Sequence, residues 1–175
     1  SSAAAEPAKR RIIDRVVAVV DRDPITLIEL ESRARPFLPQ LEKLKAEERA
    51  QARTELLQEL LELIVGERLI AARAGELRLE VTDQEVERAL SAIADQSKTT
   101  IEHVLAEVTR LGMTEAEYRA EIRRSLLEYR LLSVEVIPKI RKEGMTPDDL
   151  DKRLAPAKRS YLAALEQRFV VEKRL

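Results

Sequence analysis

The sequence predicts a mainly α fold: several helices, with a small antiparallel sheet that joins an amino-terminal ribbon to a carboxyl-terminal strand. Three observations predict it. The 175 residues are 45% hydrophobic and 36% charged with only four glycines and seven prolines, a composition of helix-rich globular chains and not of low-complexity or collagen-like ones. Threonine recurs one step ahead of apolar, acid-rich segments, which marks helix starts. Strand-length runs rich in β-branched residues occur only near the two ends.

Ser1-Ser2-Ala3-Ala4-Ala5-Glu6-Pro7-Ala8 opens the chain. These small residues lack the apolar run of a signal peptide and suit a flexible segment over 1–11, either the start of an exported chain after signal removal or a cloning remnant. Residues 12–175 form one helical domain, divided into a core over 12–137, a linker over 138–147 and a carboxyl-terminal helix and strand over 148–175. Ile12-Ile13-Asp14-Arg15-Val16-Val17-Ala18-Val19-Val20 suits a pleated, half-buried strand. Asp21-Arg22-Asp23-Pro24 turns it back into a very short strand at Ile25 and Thr26. Two strands are not stable alone in water. Phe169-Val170-Val171-Glu172-Lys173 is the remaining candidate partner, so the two ends of the chain are expected to meet in one sheet.

Thr26, Thr82, Thr114 and Thr146 each precede an acid at the third helical position, and apolar residues bracket the turn as a staple. Thr99-Thr100-Ile101-Glu102 carries the capping box without the staple. The first helix runs from Leu27 to about Arg35 and stops before Pro36. Phe37-Leu38-Pro39-Gln40-Leu41-Glu42-Lys43-Leu44 is apolar but interrupted by proline, which predicts a bend or loosely held arm. A long helix over Glu47–Ala74 follows, with Leu56, Leu57, Leu60, Leu61, Ile64 and Val65 as its stripe and Gly75 as its end. Shorter helices are expected over 83–96, with Val86, Leu90 and Ile93 on one face, and over 101–111. A long one covers 115–136 through Tyr118, Ile122, Leu126 and Tyr129, and the last covers about 148–167.

Several function classes drop out. A net charge of −1, from 31 basic and 32 acidic residues, supplies no cationic face for nucleic acid; the pairs Arg123-Arg124, Arg141-Lys142 and Lys158-Arg159 read as solvated helix faces. The absence of Cys removes thiol catalysis and Cys-ligated zinc, and one His, His103, cannot form a two-histidine metal site. Gly66, Gly75, Gly112 and Gly144 build no phosphate loop. No cofactor and no metal are expected, no stretch approaches the roughly 20 apolar residues of a membrane span, and the chain reads as a binding protein instead of an enzyme.

Ordered motifs then carry a resemblance. Asp14-Arg15-Val16-Val17-Ala18-Val19-Val20-Asp21, leading into Ile25-Thr26 and Glu29-Leu30, resembles the opening of the SurA-type periplasmic chaperones. So do Leu69-Ile70 with Ala74, Val81-Thr82-Asp83 with Glu85-Val86, and Met113-Thr114 with Glu117-Tyr118-Arg119 and Ile122-Arg123. The resemblance covers about residues 12–140. It implies a multi-helix chaperone module completed by a carboxyl-terminal segment, for which Phe169–Lys173 is the match, and an ATP-independent holdase for unfolded outer-membrane proteins in the periplasm. Parvulin-type isomerase domains lie between those segments in the family. About a dozen residues separate Pro138 from the last helix here, so prolyl isomerase activity is not expected. The alternatives are an accessory fragment of a prolyl isomerase whose parvulin domain is absent, or a structural partner in envelope assembly. The expected partners are extended client polypeptides, and the expected state is a monomer or a strand-swapped dimer. The candidate client groove comprises Phe37, Leu38, Leu41 and Leu44 on the arm, with Tyr118 and Tyr129 across from it.

Overall fold

A computed structural model describes residues 14–175; the segment 1–11 and the Ile12–Ile13 start of the expected strand lie outside the described residues. β1 (Val16–Val20) pairs antiparallel with β2 (Asp23–Thr26) on one side and β3 (Val171–Lys173) on the other, giving the order β2-β1-β3. The two ends therefore meet as the sequence predicts. Ala18, Val19 and Val20 lie opposite Lys173, Glu172 and Val171. Asp21 N donates to Val170 O at 2.6 Å and Arg174 N to Val17 O at 2.7 Å, extending the ladder at both ends.

Register against β2 passes from Val16 opposite Thr26 to Ala18 opposite Ile25, so the strand bulges at Val17. A bulge breaks the alternation of faces, and Val17 and Ala18 are both fully buried in consequence. Asp21 makes the tight β1–β2 turn at φ 57°, a conformation that short polar side chains tolerate.

α1 (Leu27–Ala34) leaves β2 directly. A 3-10 turn over Arg35–Phe37 and the single-turn α2 (Leu38–Leu41) follow it. The arm is thus helical in pieces instead of a plain bend, because Pro36 and Pro39 each stand in the first turn of a new short element, where proline has no hydrogen bond to lose. None of its residues is fully buried. α3 (Ala46–Glu76) spans 31 residues, about 46 Å at the helical rise. Its buried side chains Leu60, Leu61, Ile64, Val65 and Leu69 meet Val17, Val20, Ile25 and Leu30 in the main core.

α4 (Asp83–Gln96), α5 (Ile101–Arg110) and the first half of α6 (Glu115–Glu135) enclose a second core around Val86, Leu90, Leu105 and Ile122. Leu131, Leu132 and Val136 are buried toward the other end of α6. α7 (Ile137–Ile140) occupies part of the expected linker, and α8 (Pro147–Arg168) returns along α3 to deliver β3. A Cβ on Gly66 of α3 would lie 3.5 Å from Leu162 of α8, so the two helices cross closely.

The threonine caps form as expected at Thr26, Thr82, Thr114 and Thr146, and the last three carry the full reciprocal box. At α5 the cap is Thr100, one residue later than a box with Glu102 requires; the third helical residue is then His103, whose amide bonds Thr100 Oγ1 and which returns nothing. Two helix ends also differ from expectation. Gly75 stays inside α3, and the left-handed residue is Arg78 at φ 55°. Leu79 N donates to Ala74 O and Arg78 N to Gly75 O, the paired bonds of a Schellman end. Lys98, at φ 53°, ends α4 in the same way with Thr99 N on Ala94 O and Lys98 N on Asp95 O.

Two outcomes follow from this geometry. A left-handed residue with a Cβ is strained by roughly 1 kcal/mol, so Lys98→Gly is expected to raise stability by about that amount, read as a higher urea midpoint at constant m-value; an unchanged or lower midpoint contradicts the assignment. Ending the chain after Gln167 strips Phe169 and Val171 from the main core and opens one edge of β1. That variant is expected to lose its sharp thermal transition or to aggregate; a wild-type-like melt contradicts the pairing.

Candidate functional site: two clefts beside α1

The first turn of α1 is satisfied from three directions. Leu27 N donates to Arg15 O at 2.7 Å, Ile28 N to Asp14 Oδ1 at 3.2 Å and Glu29 N to Thr26 Oγ1 at 3.2 Å. With the cap complete, the Glu29 carboxylate is free to accept from Arg68 Nη2 at 2.8 and 2.9 Å, tying α1 to α3. Arg68 also sets Nε 2.8 Å from Asp23 Oδ2, an ionic contact not aligned as a hydrogen bond.

Leu30 and Ala34 turn inward from α1. Ile28 and Ser32 lie on its other side and line two clefts. One, of about 340 Å³, lies between α1 and the start of α6; Pro36, Met113 and Ala120 give it apolar walls, with Arg33, Glu117 and Arg124 as polar ones. The other, of about 420 Å³, lies toward α3, with Ala34, Leu38 and Leu57 beside Glu31, Arg35 and Arg53. Ile28 is 49% exposed and Phe37, next to Pro36, 45%.

The wall between α1 and α6 rests on a charge lattice. Arg33 donates to both oxygens of Glu67 at 3.1 and 2.6 Å. Arg124 sits 3.3 Å from Glu67 and 2.5 Å from Glu121, which in turn lies 3.5 Å from Arg33. Three helices are joined by four alternating charges. Desolvation is the largest single influence on the Arg33 cation and works against it, but the Glu67 hydrogen bonds together with the charges of Glu67, Glu121 and Glu29 outweigh it and hold its pKa above the ordinary value. Arg124 therefore belongs to this lattice and not to a solvated face, and its neighbour Arg123 donates to Val81 O and Asp83 at the α4 start.

Glu117 joins the rim. The Thr114 amide donates to its Oε2 at 2.7 Å, while Oε1 accepts from the Ser32 hydroxyl at 2.8 Å and from Arg35 Nη2 at 2.5 Å. The Thr114 amide, then Ser32, hold its carboxyl down to about 2. At the far end of α6, Arg73 and then the Tyr161 hydroxyl hold Glu135 at about 2; burial and that same carboxylate push the Tyr161 phenol up. Arg130, then the Thr82 amide, hold Glu85 at about 2.

The structure separates the sequence-predicted groove residues. Leu38 lines the second cleft, Phe37 is exposed beside the first, and Leu41 and Leu44 are half-buried on the arm. Tyr118 packs into the second core with Val86 and Leu90, and Tyr129 is 66% exposed on α6; neither lines either cleft. Ile28, Ser32, Met113 and Ala120 are cleft residues that the sequence expectation lacks; the spacing of Leu27, Leu30 and Ala34 sets Ile28 and Ser32 on the opposite side of α1, and that offset is the signal that marks them. His103 is exposed. Among the described residues no cluster of potential metal ligands occurs, and no helix is long and apolar enough to cross a membrane.

This geometry defines a class: a helical module closed by its terminal strand and carrying open surface clefts. The chain belongs to the SurA N-terminal domain family, whose family model matches residues 13–132. Chaperone SurA of Cupriavidus metallidurans is 38% identical over 132 residues, which is 75% of this chain and 26% of that protein. Chaperone SurA of Chromobacterium violaceum is 34% identical over 169 residues, 94% of this chain and 38% of its own length. The chain thus spans about a quarter to two-fifths of these relatives. A solved chain from Campylobacter jejuni, from work that describes the virulence factor PEB4 and the periplasmic protein Cj1289 as two structurally related SurA-like chaperones, aligns with a TM-score of 0.45 at 20% identity over 84% of this chain and 51% of that one.

The three depressed carboxyls set an acid limit. Carboxyls that titrate near 4.5 in the unfolded chain and near 2 in the folded one make the unfolded state bind protons first as pH falls. Their contribution is complete above about pH 5 and is lost on the way down to about pH 2. Urea midpoints are expected to be level from pH 7 to about 5 and to fall steeply below 4.5, with a shallower fall in Glu135→Gln; an identical profile for that variant contradicts the assignment.

Proposed function

We propose that this chain is the client-holding part of an ATP-independent periplasmic chaperone for unfolded outer-membrane proteins. Its family and the relatives named as chaperones support the compartment and the client class. The observation that carries the reading is the pair of clefts beside α1, with Ile28 about half-exposed in both and Phe37, between the cleft-lining Pro36 and Leu38, about half-exposed on the arm. Apolar side chains held open beside concave walls are what a transient binder of extended chains needs. The clefts are open and the charged side chains that line them are already paired with one another or with neighbours, so affinity comes from apolar contact and discriminates little between sequences. Nothing in the reading requires catalysis or a cofactor. Phe37, Leu38, Leu41 and Leu44 extend the surface along the arm.

The test replaces Ile28 and Phe37 with Ser, and in a second variant Phe37, Leu38 and Leu41. Suppression of aggregation of an unfolded outer-membrane barrel protein is compared with urea stability of the same variant. Protection is expected to fall several-fold while the midpoint stays near wild type. Full protection by a stable variant contradicts the assignment, as does loss of protection only in proportion to loss of stability.

A further inference from the structure

Three links hold the arm over 35–44 in place. α2 packs on the 3-10 turn and on α3. Arg49 of α3 donates to Glu42 O and Leu44 O, both at 3.1 Å. On the α6 side the link is Glu117, which accepts from Arg35 while the Ser32 hydroxyl shares the same oxygen and Arg35 also bonds Ser32. Arg35 and Glu117 are 46% and 37% exposed, so water competes for the pair. Pro36, immediately after Arg35, lines the α1–α6 cleft and has no amide proton to bond into either neighbouring element. The core side of α1 is fixed by Leu30 and Ala34 and by the Arg33–Glu67 and Arg68–Glu29 pairs, whereas no residue of 35–41 is buried.

We propose that Glu117 is a clasp, its contacts with Ser32 and Arg35 holding Pro36 against the α1–α6 cleft, so that a client side chain resting on the exposed rim enters fully only when the clasp opens. The proposal rests on the reading of that cleft as a client site and assigns its regulation. Glu117 uses separate oxygens for its two tasks, Oε2 for the Thr114 cap and Oε1 for the clasp. The clasp can therefore open without uncapping α6. Opening frees the Arg35–Pro36 start of the arm to move, while Arg49 and the packing of α2 on α3 keep its far end in place and α1 stays seated on α3. Because the Glu117 carboxyl stays ionised far below neutral pH, the clasp yields to competition for Arg35 and Ser32 and not to mild acid.

The chain has no cysteine, so a single thiol reports on the cleft. Ala120→Cys places it on the α6 wall, and its alkylation by a bulky maleimide is timed with and without Ser32→Ala and Arg35→Met, which remove the clasp but leave the Thr114 box. Arg119→Met, which breaks ion pairs with Glu87 of α4 and Glu115 of α6 outside the cleft, is the control. Labelling is expected to rise at least fivefold in the clasp variant, with no change in the control and a near-native urea midpoint. Equal rates overturn the clasp, as does a rise accounted for by lost global stability. Reduced, carboxymethylated lactalbumin is then added as an unfolded client. Slower labelling in its presence supports the gated client site; faster labelling in the clasp variant that this client does not slow overturns the client-site reading and leaves the clasp's mechanics intact.

Discussion

The structure depends on one shared strand. β1 is a five-residue strand with two partners, one following it after a two-residue turn and the other arriving from more than 150 residues away. A hairpin of β1 and β2 alone has too little buried surface to persist. Joined by β3 and backed by α3 and α8, it becomes the floor of the main core, with Val17, Val20 and Ile25 essentially inaccessible to solvent. The requirement that the chain return to its start explains the long spine of α3, the close crossing at Gly66 and the course of α8. It also fixes α1, which grows directly from β2.

From that floor outward, apolar burial gives way to charge. The main core and the second core are built of apolar side chains, and no polar residue is buried among those described. Where α1, α3 and α6 meet, Arg33, Glu67, Glu121 and Arg124 alternate in sign and supply direction that apolar contact lacks. Such half-buried pairs add modest stability but penalise misplacement, because a displaced member leaves another charge unpaired. The wall of the α1–α6 cleft is therefore stiff, while its rim carries exposed apolar groups and a single solvent-accessible clasp.

Much of this was legible in the sequence wherever the signal is local. Thr82, Thr114 and Thr146 announced their helices because a cap and its acid lie within four residues. Even the long-range pairing of β1 with β3 was readable, since an unpaired ribbon demands a partner and only one run near the other end had strand character. Helix ends were harder: Arg78 and Lys98 take a conformation that glycine marks and lysine or arginine does not, so Gly75 drew the eye instead. The cap at Thr100 is displaced by one residue from a box that Thr99 and Glu102 seemed to offer. The cleft was illegible for a different reason. Its walls come from α1, the α5–α6 turn and α6, and the arginines that organise it look like any solvated pair until three helices converge. Tyr118 and Tyr129 share a helix and an aromatic character, yet one fills the second core and the other faces water.

Hydrogen exchange resolved to single amides measures the central constraint most directly. If β1 is the shared strand on which the fold depends, the amides of Asp21 and Arg174, which bond Val170 O and Val17 O across the β1–β3 seam, exchange with the same free energy of opening as the buried turns of α3, and all follow global unfolding as urea is raised. If those two amides exchange orders of magnitude faster than the α3 core, by a urea-independent local opening, β3 is an ornament on a fold that stands without it, and the account is wrong.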